Sequence, residues 1–322
     1  MANAGGCLFR IGYYLYTRTR VGYYYHQKDI KKAREKLGDT GHSDMKDFVV
    51  GNLNILPIPM LLDNYAYLVS DKKSNKSVLV DPGHAEAVQK VLAQRNVEPE
   101  AILVTHKHWD HSGGNKELKE QFPNIPIYGG SIDNVPDSTN SLTEGDTLQF
   151  GDLNFRVVFT PGHTVGHIVY LLDGSVFGTD DCLFSGDCLF LGGVGRMFEA
   201  PPSTMLSSLD KLLTLPPSTM LWPGHEYAKD NLEFAAHLEP DNDETQRKLE
   251  WVKEMRENNA STCPSTLGEE RLYNPFLRTS EMSVLRGVGM MDSGDSTKPS
   301  EETRARALGL IREHKDKFKY KL

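Results

Sequence analysis

Residues 105–114 read THKHWDHSGG, which crowds His106, His108, Asp110 and His111 into one short stretch. Neutral imidazoles and ionised carboxylates both bind divalent transition metals, and a mixed set suits zinc, with iron or manganese as substitutes. In an extended segment the side chains at i and i+2 point the same way, so His106 and His108 can reach one ion. Asp110 and His111 are adjacent and diverge, which lets them face a second ion nearby. Three later stretches carry more of this chemistry. FTPGHTVGH places His163 after a strand-like run and a Pro-Gly turn, and LWPGHEY does the same for His225. LFSGDCLF sets Asp187 between apolar neighbours, where an unpaired carboxylate is costly unless it meets a cation. Two divalent ions held by this set, with a hydroxide between them, leave a centre of about +1, able to bring bound water to a pKa of roughly 7 and to hold an oxyanion. Those are the requirements of metal-assisted hydrolysis. His167 and His237 read as hydrogen-bonded structure.

The elements that must position these groups are short. From about Phe48 the runs NILPIPM, NYAYLVSD and KSVLVDPG are apolar, β-branched or aromatic, and punctuated by Asp, Asn, Gly or Pro. AEAVQKVLAQRN has helical spacing and AILVTH is a compact buried strand, so strand, helix and strand form a crossover whose final loop carries THKHWDH. Further strand signals are IPIYGG, TLQFG, LNFRVVFTPG, HIVYLLDG, DCLFSGDCLF and STMLWPG. After Tyr227 the pattern turns helical in KDNLEFAAHLEP and DETQRKLEWVKEMRENN, and EETRARALGLIREHKDKF predicts a final helix. GVGMMDSGDSTKPSEE between them reads as a mobile loop.

The 322 residues, 39% hydrophobic and 25% charged, suit one large domain plus a smaller one. A net charge of −8 argues against a protein that coats nucleic acid, and nothing supplies a basic groove that would track phosphates. Four cysteines without C-x-x-C spacing fit a reduced, intracellular setting. The opening CLFRIGYYLYTRTRVGYYYHQKDIKKAREK is basic and rich in tyrosine, but its uncharged run is far short of the roughly 20 residues that span a bilayer. No secretory signal is evident. Rings interleaved with arginines fit a segment at a membrane interface or a mitochondrial or other targeting element; an amphipathic helix packed on its own domain is the alternative.

THKHWDHSGG resembles the H-x-H-x-D-H signature of the metallo-β-lactamase superfamily, and TPGHTVGH, SGD and WPGHEY fall where its later ligands fall. CPSTLGEERLYNPFLR resembles the C-terminal region of hydroxyacylglutathione hydrolase, or glyoxalase II. The resemblance implies an α/β fold, the αβ/βα four-layer sandwich, with a C-terminal helical domain. It divides the chain into an extension at 1–46, a metallo-β-lactamase domain at 47–226 and a helical domain at 227–322. It implies that His106, His108 and His163 hold one metal ion and Asp110, His111 and His225 the other, with Asp187 bridging. The implied reaction is thioester hydrolysis by a hydroxide between the ions, in which Asp110 and Asp187 take part in catalysis and the substrate is a glutathione-derived thioester. No side-chain nucleophile is needed, so Cys182 and Cys188 read as buried small hydrophobes. Arg196, Tyr227 and Arg278 match the family's substrate contacts. Phe198 stands where the family has a tyrosine, and TSEM follows Arg278 where a further basic residue is expected. Losing a hydrogen bond and a charge contact is worth about a hundredfold in affinity.

Two other readings stay open on the sequence. A single-iron persulfide dioxygenase shares the early histidine motif. A membrane-tethered regulatory or scaffold protein of weak or no activity would explain the tyrosine-rich start and the altered glutathione contacts.

Overall fold

The computed structural model describes residues 7–38, 41–290 and 299–318. The centre of the Gly/Ser-rich loop expected before the last helix, residues 291–298, lies outside the described residues.

Two helices come first, α1 (Cys7–Arg18) and α2 (Arg20–Leu37). Thr19 between them is extended, and its hydroxyl accepts from the Val21 amide, satisfying one of the orphan donors of α2. Both helices lie against the body of the protein, the packed alternative for this segment. No helix among the described residues is long and apolar enough to cross a membrane.

The first sheet holds β1 (Phe48–Val50), β2 (Leu53–Met60), β3 (Asn64–Asp71), β4 (Lys76–Val80), β5 (Ala101–Leu103), β6 (Ile127–Gly130) and β7 (Asn140–Leu142), in that spatial order. It is antiparallel up to β4 and parallel from β4 to β7. The crossover from β4 to β5 runs through α3 (Ala85–Arg95), as the spacing predicts. A single-turn helix, α4 (Trp109–Ser112), and α5 (Asn115–Gln121) follow β5.

The second sheet has the order β15-β14-β11-β10-β9-β8. Its strands are β8 (Thr147–Phe150), β9 (Leu153–Phe159), β10 (Ile168–Leu172), β11 (Cys182–Gly186), β14 (Met220–Pro223) and β15 (Ser265–Thr266), with a small hairpin of β12 (Leu189–Phe190) and β13 (Gly193–Val194) after β11. The helices on this side are α6 (Pro202–Leu212), α7 (Ala228–Leu238), α8 (Asp243–Glu257), α9 (Leu267–Tyr273), α10 (Met282–Gly287) and α11 (Glu301–Phe318). β15 adds an antiparallel edge to β14 from a stretch that reads as helical.

Alternation along the strands builds the layers. Val78 and Val80 of β4 meet Phe155, Tyr170 and Trp222 between the sheets, while Leu79 faces Val88 and Val91 of α3. Val169 and Leu171 of β10 point outward to Met205, Leu206 and Leu209 of α6. With both faces covered, the central strands read as continuous apolar runs. The result is the four-layer αβ/βα sandwich. Leu232, Val252, Phe276, Leu308 and Ile311 of the C-terminal helical region join the apolar cluster on the outer face of the second sheet. The carboxyl ends of β5, β9, β11 and β14 lead into the segments carrying His106, His163, Asp187 and His225.

Candidate metal centre and active-site cleft

The seven expected ligands converge. Nδ1 of His108 lies 2.9 Å from Nε2 of His106 and 2.9 Å from Nε2 of His163. Nε2 of His111 and of His225 are 3.3 Å apart. Asp187 spans both groups: its Oδ2 is 3.3 Å from His163, and its Oδ1 is 3.2 Å from His111 and 3.3 Å from His225. Oδ2 of Asp110 is 3.4 Å from His225. A tetrahedral ion with ligands at roughly 2.0–2.2 Å sets neighbouring ligand atoms roughly 3.3–3.6 Å apart, close to these spacings. One local expectation needs correcting. The segment bends at residues 105–107, so His106 lies on a bend and only His108 is extended, and Asp110 and His111 occupy α4, where successive side chains turn by about 100°.

The outer nitrogens of the imidazoles show why the cluster suits cations. The Nδ1–H of His111 donates to Asp81 at 3.0 Å, that of His225 to Asp63 at 2.8 Å, and that of His163 to the Arg196 carbonyl at 2.8 Å. Nδ1 of His106 meets the Thr105 hydroxyl at 3.1 Å, and that hydroxyl donates to Asp81 at 2.7 Å. Nε2 of His108 meets the Tyr13 hydroxyl at 3.0 Å. With one nitrogen of each neutral ring holding its proton outward, the other presents a lone pair inward. Five lone pairs and two carboxylates facing one another are unstable without positive charge between them, and the buried Oδ1 of Asp187 has no hydrogen-bond donor. The donor set fits two divalent ions.

Electrostatics divide the cluster. Burial and neighbouring imidazoles hold His106 and His108 well below the usual imidazole value, and burial lowers His163 against the pull of Asp187. Burial also opposes the charge on His111 and His225, but the carboxylates outweigh it. Asp187, Asp110 and Asp81 raise His111 well above its usual value, and Asp187 and Asp63 raise His225 to about 10. Burial would raise Asp110, yet His111 and His225 bring it down to about 2. Without metal, the half that holds Asp110 keeps protons where a cation would sit.

Several supporting residues escape a reading of motifs alone. Asp81 serves His111 and, through Thr105, His106; its signal is the acid at the end of the apolar run in SVLVDPG. Asp63 and Asn64, in LLDNY, hold His225 and Asp110, the Asn64 amide donating to Asp110 at 3.0 Å. Lys107 is fully buried between Asp133 and Glu199, 3.2 and 2.7 Å from their carboxylates, and pins the ligand loop. Gly224 is required by close approach, because a Cβ there would stand 2.7 Å from the His111 ring and 2.8 Å from Asp187. His167 stays behind the cluster, its Nε2 accepting from the Asp187 amide at 3.2 Å, and His237 packs on Phe318.

A cleft of about 800 Å³ opens over His108, Asp110, His163, Asp187 and His225. Tyr227 stacks on the His225 ring at 4.6 Å, and Phe190 and Phe198 add apolar wall. Arg196 stands half exposed at the rim, with its Nε donating to Asp316 of α11 at 3.2 Å. Gly12, Tyr13 and Tyr16 of α1 close another side. Arg278 departs from the expectation. Its guanidinium makes two bonds to the buried Glu239 carboxylate, at 3.0 and 2.9 Å, and it lines a separate hollow beside α8. The Glu239 carboxylate is satisfied by this pair, so Arg278 acts as a strut and not as a wall of the cleft.

The fold is that of the metallo-β-lactamase superfamily, whose family model matches residues 60–225. A second model, the hydroxyacylglutathione hydrolase C-terminus, matches residues 226–318. The chain is 42% identical to a hydroxyacylglutathione hydrolase of Trichormus variabilis over 268 residues, 83% of this chain and 100% of the relative. It is 40% identical to one of Photobacterium profundum over 266 residues, with the same coverage of both chains. The crystal structure of ETHE1 from Myxococcus xanthus shares the fold, with a TM-score of 0.53 and 24% identity over 76% of this chain and 84% of that one. The chain belongs to the hydroxyacylglutathione hydrolase (glyoxalase II) family.

Proposed function

We propose that the protein is a two-metal thioesterase that hydrolyses a glutathione-derived thioester. The observation that carries this reading is the outward hydrogen bonding of all five imidazoles, which leaves their lone pairs and Asp187 facing one another at ion-ligand spacing beneath the cleft. Two divalent ions held there, zinc first and iron or manganese as alternatives, would lower the pKa of bound water and stabilise the oxyanion of the attacked carbonyl. The chain's own residues do the rest. His106, His108 and His163 would hold one ion and Asp110, His111 and His225 the other, with Asp187 available to both. Asp110 and Asp187 set the charge of the reacting centre. Phe190, Phe198 and Tyr227 shield it from bulk water, and Arg196 at the rim meets the anionic part of the substrate.

Neither Cys182 nor Cys188 competes for the role of nucleophile. Burial pushes the Cys182 and Cys188 thiols up to about 12, which keeps both protonated at neutral pH. The match of residues 226–318 to the hydrolase C-terminus favours hydrolysis over the single-iron oxygenase reading. Metal analysis together with assays on acyl-glutathione and acyl-coenzyme A thioesters tests the proposal. Two metal ions per chain and turnover of at least one acyl-glutathione are expected; a fully loaded protein that turns over none of them sinks it.

For location, we favour an intracellular site beside a membrane, the mitochondrial one included. The support is an outward face on α1 and α2 that exposes Ile11, Tyr14, Leu15, Tyr24 and Tyr25. Co-sedimentation with anionic vesicles is expected, and its absence for the full chain overturns this reading.

A further inference from the structure

The residues before 60 fall outside both family models, yet they reach the ligand cluster. The elbow between α1 and α2 is seated on the ligand loop. Nε1 of Trp109 donates to the Tyr16 carbonyl at 2.7 Å, Nε2 of His26 donates to the Gly83 carbonyl at 2.8 Å, and the Tyr23 hydroxyl donates to Glu117. The seat is close: a Cβ on Gly22 would stand 2.4 Å from Nε1 of Trp109.

This docking delivers Tyr13. Its ring packs against Phe198 at 5.1 Å, and its hydroxyl lies 3.0 Å from Nε2 of His108. His108 offers Nδ1 to the cluster, so in the neutral ring Nε2 carries the proton and donates to the Tyr13 oxygen. The Glu199 carboxylate accepts from Lys107 at 2.8 Å and from the Val165 amide at 2.8 Å, and Lys107 sits between the two histidines of the ligand loop. His106, His111, His163 and His225 take their outer partners from Thr105, Asp81, Arg196 and Asp63, all within residues 60–225. Among the five imidazoles, His108 takes its partner from outside that span.

We propose that Tyr13 is a positioning residue for His108: a phenol supplied by the N-terminal extension that fixes the tautomer and orientation of a metal ligand. The proposal rests on the two-metal reading of the cluster. An outer partner of this kind typically sets 10- to 100-fold in metal affinity, about 10- to 100-fold being the loss expected when the hydroxyl is removed.

The test uses the full chain carrying Tyr13→Phe, which keeps the ring on Phe198 and deletes only the hydroxyl. Tyr14→Phe, at an exposed neighbour, is the control. Zinc is titrated into each metal-free protein against a chromophoric chelator, and the visible spectrum of the cobalt(II) form is recorded. Tyr13→Phe is expected to weaken one of the two zinc sites about 10- to 100-fold, spare the other and shift the cobalt spectrum, with Tyr14→Phe matching the wild type. Wild-type zinc affinity and an unchanged cobalt spectrum in Tyr13→Phe would overturn the proposal. So would equal weakening of both sites, which would mean general loosening and no specific hold on His108. Neither readout needs turnover, so failure of the thioesterase reading is recognised separately, by inactive wild-type protein that still binds two zinc ions.

Discussion

The floor and the rim of the cleft are built on different principles. On the floor, each ligand imidazole is locked by an outward hydrogen bond, and seven side chains from four segments meet within ion-binding distance. At the rim, the charge that could meet substrate is already engaged, Arg196 pairing with Asp316, while Arg278 lies outside the cleft on Glu239. The floor is thus specified by chemistry that tolerates little change, while the rim is held by exchangeable contacts. A family can keep one reaction and alter its substrates when the two are separated in this way.

The strongest way to break this contrast is on the floor. Asp187→Asn removes the charge that faces both ion positions and should lose at least about a hundredfold in zinc affinity and in turnover. Asp81→Asn should follow with a loss of about 10- to 100-fold, because this one acid supports His111 directly and His106 through Thr105. Zinc titration and steady-state kinetics read both; near-wild-type behaviour of Asp187→Asn would remove the distinction between floor and rim.

Acidification should split the floor itself. His111 and His225 carry raised pKa values in the metal-free protein, His225 near 10, so an ion entering there expels protons. Its affinity should fall about tenfold per pH unit for each proton expelled as the pH drops below that value. His106, His108 and His163 are depressed, so no such loss is expected at their ion until well below the usual imidazole range. The sign for the metal-free fold is opposite. Its stabilisation by protonated His225 is complete below about 6.5 and is lost as the pH rises through about 10. Chelator titrations across a pH series should show the Asp110 half emptying first.

Away from the floor smaller effects are expected. Arg278→Met should leave kcat and KM unchanged but cost about 3 kcal/mol of stability, measured by urea unfolding, because it strands the buried Glu239 carboxylate. A raised KM would restore Arg278 as a substrate contact. Asp316→Asn frees Arg196 from a half-exposed pair and should lower KM for an acyl-glutathione by at most about fivefold.

This division also governs what the sequence makes legible. The floor ligands announce themselves because metal binding demands particular residue types at strand ends, and the buried strands between them are continuous apolar runs. Asp81 and Asp63 were visible as acids beside such runs, but nothing local says which imidazole each one holds. The pairing of Arg278 with Glu239 depends on how α7 meets the loop after α9, a matter of tertiary packing. Tyr13 is harder still, since it lies 95 residues from the ring it touches and no spacing rule reaches that far.

That separation has a consequence for the order of assembly. The α1–α2 hairpin is the first part of the described chain to be synthesised, yet its partners His108, Trp109, Glu117 and Phe198 come far later. Its docked contacts can form only once the ligand loop has been made. Closing a chain segment of that length carries an entropic cost that the hydrogen bonds of the seat and the packing of Ile30 and Ala33 must offset. The His108 environment is therefore completed only by contacts between the start of the chain and a loop about a hundred residues later.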